Sequence, residues 1–155
     1  MKIRLLCVGT RVPKWVEEGY ETYAARMPRD HALVLEELPA AARRGTDAQR
    51  WRDDEGERLL ARVSRDERAI ALDERGRQLA STDLAAELER WRRDGRDVAL
   101  LVGGADGLSK ACLARADWRW SLSAATLPHA LVRIIVAEQL YRASTLLTGH
   151  PYHRS

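Results

Sequence analysis

The sequence predicts an α/β domain with a mostly parallel sheet flanked by helices. Five short runs, mostly apolar and rich in leucine and β-branched residues, recur along the 155 residues, as expected of strands buried on both faces. Segments of helical periodicity separate them, and that alternation is the mark of strands joined by helical crossovers. No repeat, linker or low-complexity stretch divides the chain. Residues 1–155 are therefore read as one domain, large enough to bury a single core.

Residues 3–8 form the first strand, closed by Gly9. Residues 14–27 carry helical spacing at Val16, Tyr20, Tyr23, Ala24 and Met27, and stop at Pro28. Residues 32–38 are the second strand, closed by Pro39, and the small, basic stretch 40–45 reads as a mobile loop. Asp47 then caps a helix running to about residue 63. Residues 68–73 are the third strand, from which residues 74–77 turn away. Ser81 and Asp83 open a helix that ends at Gly95, a residue suited to terminating a helix. Residues 97–102 are the fourth strand, followed by Gly103-Gly104-Ala105-Asp106-Gly107. A short helix over 108–116, a fifth strand over 118–122 and a long helix over 128–147 complete the pattern.

Hydrophobic residues at 45% and charged residues at 32% are globular rather than disordered values. The net charge is only +3. Arg43-Arg44, Arg92-Arg93 and the Arg/His-rich C-terminus lie far apart, so a basic face must be assembled by folding or oligomerisation. Such a face permits a polyanionic partner, although charge alone favours simply solvated arginines. Cys7 and Cys112 form no CxxC and no zinc-type spacing, which implies free buried thiols in a reducing compartment and no metal. The N-terminal apolar run is too short for a signal segment, and no stretch reaches the length of a membrane span. The reading is cytoplasmic, with no membrane.

In an open parallel sheet, ligands bind beyond the C-terminal strand ends. Three loops leave strands there: Leu72 to Gly76, Val102 to Leu108, and Leu122 to Pro128. GGADG is neither GxGxxG nor a Walker loop, which disfavours a dinucleotide or nucleoside triphosphate, and taken alone it reads first as a tight strand-to-helix turn. The run Ala124-Ala125-Thr126-Leu127 has little bulk, leaving backbone groups free to read a flat heterocycle. Three such loops at one sheet edge point to a ligand site.

The last helix carries Arg133, Glu138, Gln139 and Arg142 on an otherwise apolar segment. Polar groups that leave water need partners. Glu138 and Arg142, four apart, share one face; they are either a surface ion pair or part of a site. His129 begins this helix, where it could cap, bind or face solvent. Tyr152-His153-Arg154 would be a frayed end by composition, yet its aromatic and basic character suits an unpaired base and phosphate.

LLVGGADGLS, WSLSAATLPHALVR, AEQLYRA and HPYHR occur in that order. With them the chain resembles, over essentially its whole length, the ribosomal RNA large-subunit methyltransferase H family of the SPOUT class. The resemblance implies a homodimer with a C-terminal trefoil knot over about residues 70–155, a path that ordinary connection rules exclude. It implies S-adenosylmethionine held by Leu72, Asp73, Gly103, Gly104, Leu122, Ser123, Ala124, Ala125, Thr126 and Leu127. The implied substrate is a pseudouridine of 23S rRNA in the assembled ribosome, methylated at N3. Glu138 and His153 are then candidate bases, with Arg142 stabilising charge. His129, Arg133, Tyr152 and Arg154 are candidate RNA contacts, and Arg26, Arg29, Arg43 and Arg44 further basic ones. Two rivals remain: a ribosome-associated binding protein without transfer, and a knotted methyltransferase acting on tRNA.

Overall fold

The computed structural model describes residues 1–154. Five strands, β1 (Lys2–Val8), β2 (Ala32–Leu38), β3 (Arg68–Gln78), β4 (Val98–Val102) and β5 (Trp118–Ser121), form one sheet in the order β2-β1-β4-β3-β5. Every neighbouring pair is parallel. All five C-terminal ends therefore lie at one edge, and β4, β3 and β5 place theirs side by side. The helices are α1 (Lys14–Ala24), α2 (Ala48–Ala61), α3 (Ser81–Asp94), α4 (Lys110–Arg115) and α5 (His129–Thr148).

Period-two alternation splits each central strand between two cores. Ile3, Leu5, Cys7, Ile70 and Leu100 face a layer of α1, α3 and α5, where Tyr20, Leu88, Trp91, Val136 and Leu140 meet them. Leu6, Val8 and Leu101 face α2 and α4 through Leu59 and Cys112. Each fully buried leucine, such as Leu100, contributes on the order of 1.5–3 kcal/mol by leaving water. Burial pushes the Cys7 thiol up to about 12, as expected of an inert packing residue.

Helix ends follow local chemistry. Asp47 caps α2 by accepting from the Arg50 N–H at 3.2 Å, and Ser109 caps α4 by accepting from the Cys112 N–H at 3.2 Å. The first helix stops earlier than its periodicity predicts. Its last turn tightens through Arg26 N–H to Tyr23 and Met27 N–H to Ala24, both 3.1 Å, because Pro28 disfavours helical backbone at Met27.

The third strand corrects the sequence reading. Residues 74–77 do not turn away. Leu72 pairs with Trp120, residues 73–76 bulge outward, and Arg77 and Gln78 rejoin β5 at Trp120 and Ser121. Gly76 makes this possible, since a Cβ there would stand 2.6 Å from the Arg119 backbone. Residues 151–154, read by composition as frayed, form a 3-10 turn folded back on α5.

Candidate active site

A cavity of about 780 Å³ opens at the C-terminal strand edge, within the usual size of small-molecule sites. The β3 bulge lines it with Leu72, Asp73, Glu74 and Arg75. The loop after β4 lines it from Gly103 to Leu108. From the loop after β5 come Leu122, Ser123, Ala125, Thr126 and Leu127, and from α5 come His129 and Val132. Thus all ten residues read as cofactor contacts line one cavity, except Ala124. His129, read as an RNA contact, stands on the cavity wall beside them.

The glycine loop is closed by contact with itself. Gly107 N–H donates to the Gly104 carbonyl at 3.0 Å, and Gly103 lies so near Gly107 that a Cβ would fall 2.5 Å from its carbonyl carbon. The loop after β5 is fastened to the bulge by Thr126 Oγ1 donating to Glu74 at 2.8 Å. The wall carries both signs of charge, with Asp53, Asp73, Glu74 and Asp106 set among Arg52, Arg75, Lys110 and Arg119, beside apolar Leu72, Leu108, Leu122 and Leu127. Mixed charge beside apolar surface suits a zwitterionic ligand with an apolar portion.

Gln49, Arg52 and Asp53 of α2 also wall the cavity, and sequence reasoning missed them. Their i, i+3, i+4 spacing marks one helical stripe, but an exposed polar stripe on a helix ordinarily signals solvent.

A second cluster lies on α5 and the terminal turn. Glu138 Oε1 accepts from Arg142 Nε at 2.9 Å and Nη2 at 2.7 Å, and from the Tyr152 hydroxyl at 2.9 Å. Its Oε2 accepts from Gln139 at 2.7 Å. Arg142 lies over the Tyr152 ring at 4.9 Å, and that ring packs 4.7 Å from Tyr141. Hydrogen bonding to Glu138 raises the Arg142 pKa above its usual range. Burial, reinforced by the bond to Glu138, raises that of Tyr152. With side chains only 18% and 23% exposed, Glu138 and Arg142 are not a wet surface pair. Nδ1 of His153 is buried without a hydrogen-bond partner among the described residues. None of Glu138, Arg142, Tyr152, His153 and Arg154 lines the cavity of its own chain.

Arg133 requires correction. Its guanidinium is 1% exposed, donating to Glu37 at 2.7 Å and to the Gly9 carbonyl at 2.7 Å. It ties α5 to the ends of β1 and β2: hydrogen bonds commit both terminal nitrogens, and Nε, without a partner among the described residues, is buried away from any RNA. Arg43, also read as an RNA contact, is bonded to Asp106 of the glycine loop. Among the described residues, no group of three or more His, Cys, Asp or Glu gathers to hold a metal. No described helix is long and apolar enough to cross a membrane.

Fold and cavity together define an α/β domain with a ligand-sized cavity across three neighbouring strand ends. The family described as "Predicted SPOUT methyltransferase" matches residues 1–153. A protein of Methylococcus capsulatus named Ribosomal RNA large subunit methyltransferase H is 56% identical, over 99% of this chain and 100% of its own length. A Pseudomonas fluorescens protein of the same name is 52% identical over the same shares. A solved structure of the SpoU methyltransferase AviRb from Streptomyces viridochromogenes, in complex with AdoMet, aligns with TM-score 0.49 at 15% identity. It covers 92% of this chain and 57% of that one. The chain belongs to the SPOUT methyltransferase family.

Proposed function

We propose that the protein transfers a methyl group from S-adenosylmethionine to N3 of a pseudouridine in 23S rRNA, acting in the cytoplasm as a homodimer on the assembled ribosome. The observation that carries this reading is the cavity, in which three strand-end loops from separate parts of the chain meet. The relatives' shared name supports large-subunit rRNA as the substrate class. The intact cavity disfavours the binding-protein alternative, since a pure binder has no need of one. The same name disfavours the tRNA alternative.

The cavity fits the cofactor. Its size suits a nucleoside-sized ligand. Asp73 and Glu74 stand where a cationic group would meet a carboxylate, and the small residues of 122–127 let a base approach their backbone, of which the Ala125 N–H and the Ser123 carbonyl are already bonded within the loop. When bound, the cofactor supplies a methyl group made electrophilic by a sulfonium. The protein's task is then alignment and proton removal. Pseudouridine N3 lies between two carbonyls and must lose its proton. Glu138 or His153 accepts it, and both keep acceptor capacity: Oε2 has one donor and Nδ1 none among the described residues. Arg142 steadies charge on the flanking oxygens. Tyr152, already seated on an aromatic neighbour, contacts the target base, and Arg154 a phosphate.

These groups stand off their own cavity, which supports a shared site. Leu131, Ile135, Glu138 and Arg142 follow one another at helical spacing, all part-exposed. The stripe therefore passes from apolar residues to the polar cluster. A two-fold dimer covering its apolar half would bring one copy's cluster to its partner's cavity.

The test is transfer of labelled methyl to ribosomes lacking the modification, with separated subunits and free rRNA as parallel substrates. Label on pseudouridine N3 only with assembled ribosomes is expected, and Glu138→Ala should abolish it with cofactor binding kept. No label on any RNA despite cofactor binding would point to another substrate. Loss of cofactor binding as well would favour the binding-protein alternative.

A further inference from the structure

The stretch joining β2 to α2, residues 39–47, has no regular structure and is exposed throughout except at Ala41. Such a connection is ordinarily loose. Here it is tied down at three points. The Pro39 carbonyl accepts from Arg58 at 2.9 Å, and the Ala41 N–H donates to Glu55 Oε2 at 3.0 Å. The third tie is Arg43, which lies over the Trp51 ring at 4.8 Å, 3.7 Å from Glu55, and bonds Asp106. The first two ties stay local. Arg43 alone among them reaches 63 residues along the chain, to a loop that walls the cavity.

Glu55 faces the same loop. It is 2% exposed, its Oε1 has no hydrogen-bond partner among the described residues, and a Cβ added at Gly104 would meet that oxygen at 3.3 Å. A buried carboxylate oxygen without a donor is costly. It sits against the backbone whose shape sets the cavity.

We propose that Arg43 is a positioning residue of the cofactor site. By spanning Asp106 and Glu55 it straps residues 39–47 across the glycine loop, so that strap closure and cofactor binding favour one another. This rests on the reading that the cavity takes S-adenosylmethionine. The guanidinium fork engages two carboxylates while stacking on an indole, which an ammonium cannot do at once. The Arg43–Asp106 bond is part-exposed on both sides and holds weakly, so this tie can open while the two local ones hold. Reciprocity then requires that whatever affinity the closed strap adds for the cofactor, the cofactor returns to closure. The unpartnered Oε1 is the acceptor awaiting the loop when it tightens. An RNA phosphate, by contrast, would first have to displace both carboxylates.

The test uses the full-length protein with S-adenosylhomocysteine. Amide hydrogen exchange is followed with and without it, and affinity is measured calorimetrically for wild type, Arg43→Ala and Arg43→Lys. In the wild type, the ligand should slow exchange in residues 40–46 as well as 103–108. Arg43→Ala should keep ligand protection of 103–108, lose that of 40–46, and bind about ten-fold more weakly, with Arg43→Lys between. The wild-type exchange result stands whether or not the variants fold. Protection of 103–108 with 40–46 unchanged in the wild type, or wild-type affinity in Arg43→Ala, would sink the strap. A wild type that binds no S-adenosylhomocysteine would sink the cofactor reading and the strap with it.

Discussion

Replacing Gly103 with alanine puts a methyl group where the chain leaves no room. The new Cβ would stand 2.5 Å from the Gly107 carbonyl carbon, 2.6 Å from its oxygen and 2.9 Å from the Leu108 nitrogen. Ordinary contact begins at 3.4 Å, so the opposing strand of the loop must retreat by about 0.9 Å. All three obstructing atoms are backbone, and no rotamer change relieves them. Overpacking of this kind costs about 1–3 kcal/mol. The strain falls on the loop rather than the sheet, because Val102 before it is held by its β1 pairing at Cys7. Urea denaturation followed by tryptophan fluorescence should show a loss in that range with an unchanged slope. Calorimetric titration with S-adenosylhomocysteine should show binding weakened about ten-fold or more, since 1.4 kcal/mol of misplacement suffices. An alanine variant with wild-type stability and wild-type affinity would refute the claim that close approach within this loop shapes the cavity.

Two further outcomes can be checked separately. Arg133→Ala leaves Glu37 and the Gly9 carbonyl without their donor. It should cost about 3 kcal/mol in urea denaturation, the low end for a broken buried pair because Glu37 is a third exposed. Wild-type stability with lost transfer to RNA would restore the RNA role. His31, bonded to Asp30 and Ser144 at 2.8 Å each, is held below its ordinary value of 6.5 by burial, with Asp30 opposing. Below pH 6.5 the unfolded chain takes up a proton that the folded chain refuses. Its contribution is therefore full above pH 6.5 and falls as the pH drops toward the folded-state value, by at most about 1.4 kcal/mol per unit. Denaturation across this window should show the decline, and His31→Asn should flatten it; an unflattened profile would remove His31 as its source.

The strand–helix alternation was legible because each strand carries a short, mostly apolar run and the helices between them repeat at 3.6 residues. The three ligand loops were legible for the same reason: parallel strands fix which edge their ends share. The bulge at 73–76 was not, because Asp-Glu-Arg-Gly reads as a turn by composition and only the neighbouring Trp120 shows that the strand resumes. Arg133 was misread because periodicity cannot tell a helix residue's buried partner from an external one. Its partners, Glu37 and Gly9, are 96 and 124 residues away. The α2 wall and the Arg43 tie were invisible for the same reason of distance. The trefoil path entered only through the resemblance, since threading leaves no mark on local pattern.

The place of β4 in the sheet bears on how the chain reaches this state. It lies between β1 and β3, and Val98 pairs with Ile3 on one side and Arg68 on the other. The first two strands can pair with only α1 and a short 3-10 turn between them, but β3 cannot join them until β4 arrives. Until then β1 and β3 each present an unpaired, mostly apolar edge, the kind of surface that invites intermolecular pairing. Closing the sheet thus depends on contacts spanning more than ninety residues, which slow the search for the native state. Assembly should be limited by insertion of this central strand, and refolding yield should fall steeply as protein concentration rises.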